Sequence, residues 1–230
     1  AELAEFIRRR SDYRTLERTL ASWRNEPVER RFERIASQLT ALSARLGKGE
    51  VRVVAEAHRL RLPAERWADF WASFAHVVRN AVDHGLEAPE VRKAAGKPVE
   101  GHVTLRMEIT GDALCFTFAD DGAGIPWPRV EERARALGLP VATAEDLVAA
   151  LFSDGFSTSS RVSSTSGRGV GLAAVRAATT ALGGTVHVES KAGQGTAFRF
   201  RFPASTMAPL TDESGAPGWS FRTSAPPPAA

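Results

Sequence analysis

The amino-acid sequence predicts a two-layer α/β sandwich, with helices on one face of a mainly antiparallel sheet and water on the other. Apolar and polar residues alternate along segments 102–110 and 196–202, the period of strands with one buried face. Segment 64–85 instead carries apolar residues at spacings of three and four, which indicates an amphipathic helix. A sheet with one wet face is usually antiparallel and covered by helices on its other face only.

The remaining elements follow in chain order. Residues 1–46 are strongly charged and predict two helices separated by a turn at 25–27, because Pro27 cannot continue a helix. A strand is expected at 51–58, and Gly85 is a typical residue to end the helix that begins near 64. The other predicted elements are strands at 102–110 and 113–120, helices at 127–137, 143–151 and about 170–182, and strands at 184–190 and 196–202.

The composition is that of an ordinary globular protein. The chain has 230 residues, of which 43% are hydrophobic and 25% charged. The net charge of +3 is too small to indicate nucleic-acid binding, and one cysteine excludes an internal disulfide or a cysteine zinc cage. Because we find no signal peptide and no apolar run of ~20 residues, we expect a cytoplasmic protein. The chain begins with Ala rather than Met, so we expect a fragment or a processed product.

The polar side of the helix at 64–85 has an unusual composition. At ~100° per residue, His76, Asn80 and Asp83 lie roughly opposite the apolar stripe, with His84 beside them. Asn and His are poorer helix formers than the Glu, Lys and Arg that normally occupy a solvated face. The pattern therefore predicts that this face meets something polar. The other three histidines, at 58, 102 and 187, lie on polar strand faces and are expected to be ordinary surface residues.

Asp120 ends a predicted strand with its side chain on the apolar side. It has the parity of Phe116 and Phe118, so its carboxylate should point inward and need a donor. The segment Asp120-Asp121-Gly122-Ala123-Gly124 is consistent with a plain Asp/Gly turn, or with a carboxylate that accepts from a ligand amino group, such as that of adenine. Thr196 shares the inward parity of Phe198 and is either a satisfied core residue or a second polar anchor of the same pocket.

A glycine-rich loop precedes the helix predicted near 170. Such a loop presents backbone N–H groups and a positive helix end to an anion. The segment Gly167-Arg168-Gly169-Val170-Gly171 does not end in Gly-Lys-Ser/Thr and does not follow a strand, so it differs from both common nucleotide fingerprints. Taken alone it is equally consistent with a flexible loop. The Ser-rich stretch 157–166 before it is either a mobile lid or a solvated loop.

The fixed order of these motifs resembles the GHKL ATPase superfamily, which includes DNA gyrase, MutL and the histidine kinases. The segment from His76 to Glu87 is similar to the N box of the chemotaxis histidine kinases, whereas other members mostly carry Glu at the position of His76. The resemblance covers about residues 28–203. It continues through 96–98, 120–125, 155–158 and 166–172.

The resemblance implies the Bergerat fold and a set of site residues. Asp120 would bind the adenine amino group with support from Thr196, and Asn80 would ligate Mg²⁺ with help from His84. His76 would assist the attack of an incoming imidazole on the γ-phosphate of ATP, with His84 as a second catalytic residue. The implied nucleotide-binding residues are Asn80, Asp83, Asp120, Gly122, Gly124, Ile125, Phe156, Ser157, Ser166, Gly167, Arg168, Gly169, Val170, Gly171, Leu172 and Thr196.

The resemblance also implies a domain organisation. Residues 1–48 are expected to be N-terminal helices, with 28–48 similar to the last dimerisation helix, and 49–203 the ATP-binding kinase domain. Residues 204–230 are rich in Pro, Ala, Ser and Gly and are expected to be a disordered tail. Residues 1–46 contain no histidine, so the phosphoacceptor would lie on a phosphotransfer domain in another chain or a missing segment, with a response regulator downstream.

Three functions are consistent with these motifs. The first is the ATP-binding catalytic domain of a chemotaxis-type histidine kinase in a two-component system, with a possible homodimer through the N-terminal helices. The second is an ATPase of the gyrase or MutL kind, against which His76 argues. The third is a catalytically silent module that binds nucleotide or partners as a scaffold, against which Asn80 and Asp120 argue.

Overall fold

A computed structural model of the chain describes residues 25–156 and 171–207. In chain order the strands are β1 (Glu26–Pro27), β2 (Val51–Glu56), β3 (Arg61–Leu62), β4 (Gly101–Thr110), β5 (Ala113–Asp120), β6 (Thr185–Lys191) and β7 (Gly195–Pro203). The α-helices are α1 (Val28–Arg45), α2 (Ala68–Asn80), α3 (Pro89–Ala94), α4 (Trp127–Ala136), α5 (Ala144–Leu151) and α6 (Leu172–Ala181). A π-helix (Ala81–Gly85) continues α2, and a 3₁₀ turn (Ala204–Thr206) follows β7.

The main sheet has five strands in the order β2-β4-β5-β7-β6. Only the pair β2–β4 is parallel, and the other three pairs are antiparallel. The two-layer α/β sandwich predicted from strand alternation is therefore confirmed. His102 and His187 are exposed on β4 and β6, as their parity predicts. His58 is also exposed, but β2 ends two residues before it and His58 lies in a turn with φ 48°.

The core is a layer of aromatic rings between α2 and the sheet. Phe70 and Phe74 of α2 are each 1% exposed. The Phe74 ring lies 5.1 Å from that of Phe116 on β5, and the Phe70 ring lies 5.3 Å from that of Phe200 on β7. Pairs at these separations contribute beyond their buried area. This packing fixes the position of α2, and therefore of its polar side, relative to the ends of β5 and β7.

Helix α1 belongs to the same core. Its buried residues recur every three or four positions, and they are Val28, Phe32, Ile35, Leu39 and Ser43. The Phe32 ring stacks on Phe116 at 5.6 Å, inside the sandwich. An amphipathic helix has one apolar stripe, and here the chain's own sheet covers it. A dimer formed through residues 28–48 would therefore have to use the other face of this helix.

Several local expectations need correction. Helix α2 begins at Ala68 rather than 64 and ends at Asn80, where π-helical geometry replaces the predicted α-helix. The turn expected at 25–27 contains the two-residue strand β1, which pairs with β3. Helix α3 has six residues, too few for a periodic pattern. Residues 204–207 pack against the domain, and Met207 is 3% exposed. Among the described residues, no helix is long and apolar enough to cross a membrane.

Candidate functional site

Asp120 lies where the end of β5 meets the end of the π-helix. Only 8% of the residue is exposed. Its Oδ1 atom accepts a 3.0 Å hydrogen bond from the N–H of Gly122. The N–H of Thr196, its partner on β7, is a second donor to the carboxylate. The inward orientation predicted from strand parity is therefore present, and the donors come from the backbone.

The environment of Asp120 weakens its acidity. Burial raises the pKa of Asp120 to about 6, although the N–H groups of Gly122 and Thr196 act in the opposite direction. The neighbouring carboxylates of Asp121 and Glu87 act in the same direction as burial and contribute to this raised pKa. Above that pH the site presents a buried, ionised carboxylate, which is a strong acceptor for a ligand amino group.

Glycines let four backbone segments converge around this carboxylate. A Cβ on Gly122 would collide with the carbonyl group of Gly85, and a Cβ on Gly195 would collide with the carbonyl group of Asp120. Gly124 has φ 78°, a conformation that side chains disfavour, and a Cβ there would lie 2.5 Å from the carbonyl oxygen of Lys191. The two glycines predicted after Asp120 are therefore required for close packing of the loop against its neighbours.

Sequence reasoning missed Ser190, which connects the loop to the sheet. Its Oγ accepts a 2.7 Å hydrogen bond from the N–H of Ile125 and lies 3.0 Å from Oγ1 of Thr196. It also donates to the carbonyl oxygen of Gly195 at 3.0 Å. Ser190 shares the strand parity of Val188, so its inward orientation could have been read from the sequence. The hydroxyl holds Ile125 and Thr196 on the same side of the pocket as Asp120.

The polar side of α2 carries the other predicted residues. His76, Asn80 and Asp83 are half-buried, whereas His84 is exposed. Burial and the nearby charge of Arg79 lower the pKa of His76. Its imidazole is therefore mostly neutral near pH 7 and has a lone pair that can accept a proton.

The π-helix joins this polar side to the loop after Asp120. The N–H of Leu86 bonds to the carbonyl oxygen of Ala81 at 2.6 Å, one residue wider than an α-helical bond. The carbonyl oxygen of Gly85 then accepts from the N–H of Ala123 at 2.8 Å. In addition, Nζ of Lys48 donates to the carbonyl oxygen of Leu86 at 2.8 Å. Asp83 lies two residues and Asn80 five residues before Gly85, whose carbonyl group is bonded directly to the Asp120 loop.

The structure describes only part of the predicted anion-binding loop. Phe156 and Leu172 pack, half-buried, against the core at the two ends of the undescribed segment. Gly171 is the residue before the first turn of α6, which packs against α2. The predicted residues Ser157, Ser166, Gly167, Arg168, Gly169 and Val170 lie outside the described residues.

The combination of fold and site identifies the class of protein. Residues 72–206 match the family model described as histidine kinase-, DNA gyrase B-, and HSP90-like ATPase. Because the match covers more than half of the chain, the chain belongs to this ATPase family. The resemblance inferred from the order of the motifs is confirmed.

Several individual proteins are similar to this chain over most of its length. The chain is 36% identical to the chemotaxis protein CheA of Rhizobium meliloti (strain 1021), over 86% of this chain and 26% of that protein. The identity to CheA of Treponema pallidum (strain Nichols) is 39%, over 77% of this chain and 22% of that protein. The identity to a gliding motility regulatory protein of Myxococcus xanthus is 33%, over 87% of this chain and 27% of that protein. The chain therefore spans about a quarter of the length of these relatives.

The chemistry of the site fits an adenine nucleotide. The buried Asp120 carboxylate can accept from an exocyclic amine, and the surrounding glycines let the neighbouring backbone segments pack closely around that carboxylate. The described residues include no cluster of three or more His, Cys, Asp or Glu side chains that could hold a metal ion.

Proposed function

We propose that the chain is the ATP-binding catalytic domain of a chemotaxis-type histidine kinase, which transfers the γ-phosphate of ATP to a histidine on a phosphotransfer domain. The observation that carries the proposal is the buried carboxylate of Asp120, held by backbone donors and enclosed by glycines. Identity of 33–39% to CheA and a gliding motility regulator supports the kinase branch of the family.

The nucleotide would extend from an adenine end at Asp120 to a phosphate end beside the polar side of α2. Asp120 would accept from the adenine amino group, and Thr196 with the turn Gly122–Ile125 would complete the adenine end. Asn80, with Asp83 and His84 nearby, would hold the Mg²⁺ ion, which supplies positive charge to the phosphates. The triphosphate would lie toward the segment 166–172, where backbone N–H groups at the start of α6 can bind an anion.

His76 would act at the reacting end. Its lowered pKa leaves the imidazole neutral near pH 7. It could therefore take the proton of an incoming acceptor imidazole as the new N–P bond forms and the bond from the γ-phosphorus to the oxygen of the departing ADP breaks. The exposed His84 would contact phosphate or Mg²⁺ from the same side of the π-helix. Both roles require the acceptor histidine to approach from solvent and not from within the sandwich.

The partners and setting follow from this activity. The phosphoacceptor would be a phosphotransfer domain, which in turn supplies a response regulator. We expect a cytoplasmic protein and a homodimer formed through N-terminal helices. The apolar face of α1 is already buried in the domain, so that dimer would use residues before α1 or the exposed face of α1.

Calorimetric titration with a non-hydrolysable ATP analogue tests the proposal. The full chain should bind the analogue, and Mg²⁺ should tighten binding because it would supply positive charge beside the phosphates. A turnover assay with added phosphotransfer domains then separates a kinase from a plain ATPase or a silent scaffold. Absence of binding at millimolar analogue by a folded chain would remove the proposed function.

A further inference from the structure

A cluster of four charged side chains lies beneath the adenine end of the proposed site. It consists of Glu87, Arg92, Lys97 and Asp121, and we call it the charged cluster. The Arg92 side chain is 0% exposed and that of Lys97 is 15% exposed. Two cations face two carboxylates, so the cluster has no net charge. Ion pairs buried this deeply are retained only where the geometry satisfies nearly every donor.

Lys97 reaches the cluster because of how α3 ends. Gly96 has φ 71°, and its N–H bonds to the carbonyl oxygen of Lys93 at 3.1 Å. The N–H of Lys97 bonds to the carbonyl oxygen of Arg92 at 2.9 Å. This pair of bonds is a Schellman motif, which reverses the chain just after a helix. The reversal turns Lys97 toward the loop after Asp120.

All three donors of the Lys97 ammonium group are used. Nζ donates to Oε1 of Glu87 at 2.6 Å and to the carbonyl oxygens of Asp121 and Gly122 at 2.9 and 2.8 Å. One lysine therefore holds two consecutive peptide carbonyls of the glycine loop. Arg92 supports it, since its Nη2 bonds to Oδ2 of Asp121 at 2.6 Å.

Because the peptide bond is planar, the hydrogen bonds from Lys97 to the two carbonyl groups also orient the N–H groups on the opposite edges of the same peptide units. In a trans peptide the C=O and N–H groups point in opposite directions. The peptide whose carbonyl group belongs to Asp121 has the N–H of Gly122, which donates to Oδ1 of Asp120. The next peptide has its carbonyl on Lys97 and its N–H, that of Ala123, on the carbonyl oxygen of Gly85. Fixing the two carbonyls thus fixes both N–H groups.

We propose that Lys97 is a positioning residue for nucleotide binding, which orients the two peptide units after Asp120 so that their N–H groups hold the carboxylate and the end of the π-helix in place. The inference rests on the proposed function. Lys97 acts through the backbone, from the side opposite the ligand. Its positive charge also offsets the carboxylates of Asp121 and Glu87, the two acidic groups that act on Asp120.

The test compares Lys97→Met with Lys93→Met in the full chain, because Lys93 is exposed on α3, the helix that ends just before Lys97. The dissociation constant for a non-hydrolysable ATP analogue is measured by calorimetry from pH 5 to pH 8. For each variant it is divided by the parent value at the same pH, which cancels the titration of the ligand. Circular dichroism and thermal unfolding record folding. If Lys97→Met does not fold, Lys97→Gln, which keeps a donor but no charge, replaces it.

We expect Lys97→Met to bind roughly tenfold more weakly at pH 7.5, the effect of weakening about one hydrogen bond at the Asp120 carboxylate. The pH below which binding is lost should rise by about half a unit or more, because the N–H of Gly122 is held less firmly against Asp120 and the carboxylates of Asp121 and Glu87 lose the cation that offsets them. Lys93→Met should match the parent. A folded Lys97→Met that binds like the parent, or that only melts lower with an unmoved pH profile, overturns the inference. A parent that binds no nucleotide overturns the proposed function and, with it, this inference.

Discussion

At the scale of single residues, Asp120 combines a functional gain with a cost in stability. An ionised carboxylate that is 8% exposed is costly to desolvate, and two backbone N–H groups compensate for only part of this cost. The same isolation from water strengthens its bond to a ligand amine. The inward carboxylate and Thr196 could be predicted from strand parity. The supporting roles of Ser190 and Lys97 could not, because they depend on contacts between segments far apart in sequence.

Asp120→Asn should lose at least about tenfold in affinity for an ATP analogue, since a charge-assisted hydrogen bond is worth ~1.5–3 kcal/mol. The fold should remain, because an amide can still accept from the N–H of Gly122. Calorimetry measures the affinity, and Asp112→Asn, on an exposed turn residue, is the matched control. Unchanged affinity in the Asp120 variant would remove this residue from the adenine site.

The parent protein and its Asp120→Asn variant should also differ in how their stability depends on pH. The folded pKa of Asp120 is raised to about 6, so the folded protein binds a proton that the unfolded chain releases between about pH 4 and 6. The carboxyl group therefore adds stability as the pH falls through 6. Relative to Asp120→Asn, the parent should gain roughly 1 kcal/mol between pH 7 and pH 5. Urea unfolding of both proteins at the two pH values measures this, and a gain in the opposite direction would contradict the burial argument.

His76→Ala should bind nucleotide as the parent does but transfer phosphate ~10²–10⁴-fold more slowly, the usual contribution of general acid–base assistance. Its half-buried, neutral imidazole lies one turn before Asn80 on the same side of α2. Single-turnover transfer to a competent phosphotransfer domain measures the rate, and His102→Ala is the control on the exposed sheet face. A normal rate would leave His76 with a structural role.

At the scale of elements, the sequence predicted the helices and strands that have a periodic pattern of apolar residues and missed those that have none. Strands β4 to β7 and helix α2 show clear periods over seven or more residues, and their predicted positions are confirmed within a few residues. The two-residue strands β1 and β3, the six-residue helix α3 and the π-helix carry no period. They are fixed by tertiary contacts, such as the bond from Lys48 to Leu86.

Helix α1 shows why periodicity alone does not assign an element to a domain. Its apolar stripe was correctly predicted, but a stripe does not reveal whether a second chain or the chain's own sheet covers it. The structure shows that the sheet does, through Phe32 and Phe116. The apolar face of α1 therefore packs in the same core as the sheet.

Phe32→Ala should destabilise the isolated chain by about 3–5 kcal/mol, the cost of removing a buried Phe side chain. Phe32 is 1% exposed, whereas the adjacent Glu33 is exposed and Glu33→Ala should have little effect. Chemical unfolding at two protein concentrations distinguishes the sources of this stability. A loss seen only where the protein dimerises would show that α1 serves the dimer and not the domain.

At the scale of the whole molecule, the proposed function is one half of a phosphotransfer reaction, the binding of the nucleotide that donates the phosphate. The aromatic core fixes α2 against β5 and β7, which brings the proposed magnesium and adenine residues to one end of the sheet. His102 and His187 lie on its open face, and His58 lies in an exposed turn. His76 and His84 would flank the triphosphate and would not lie in line with the leaving oxygen of the γ-phosphate, the position from which an acceptor must attack. The acceptor should therefore be outside these five histidines.

The most direct test is transfer from γ-labelled ATP with Mg²⁺, followed by mass spectrometry of every histidine. The account predicts that the chain alone stays unlabelled, and that an added phosphotransfer domain becomes labelled on its histidine. The label on that domain should disappear with Asp120→Asn. Stoichiometric phosphohistidine within the chain alone, or release of inorganic phosphate with no labelled partner among matched phosphotransfer domains, would contradict the account.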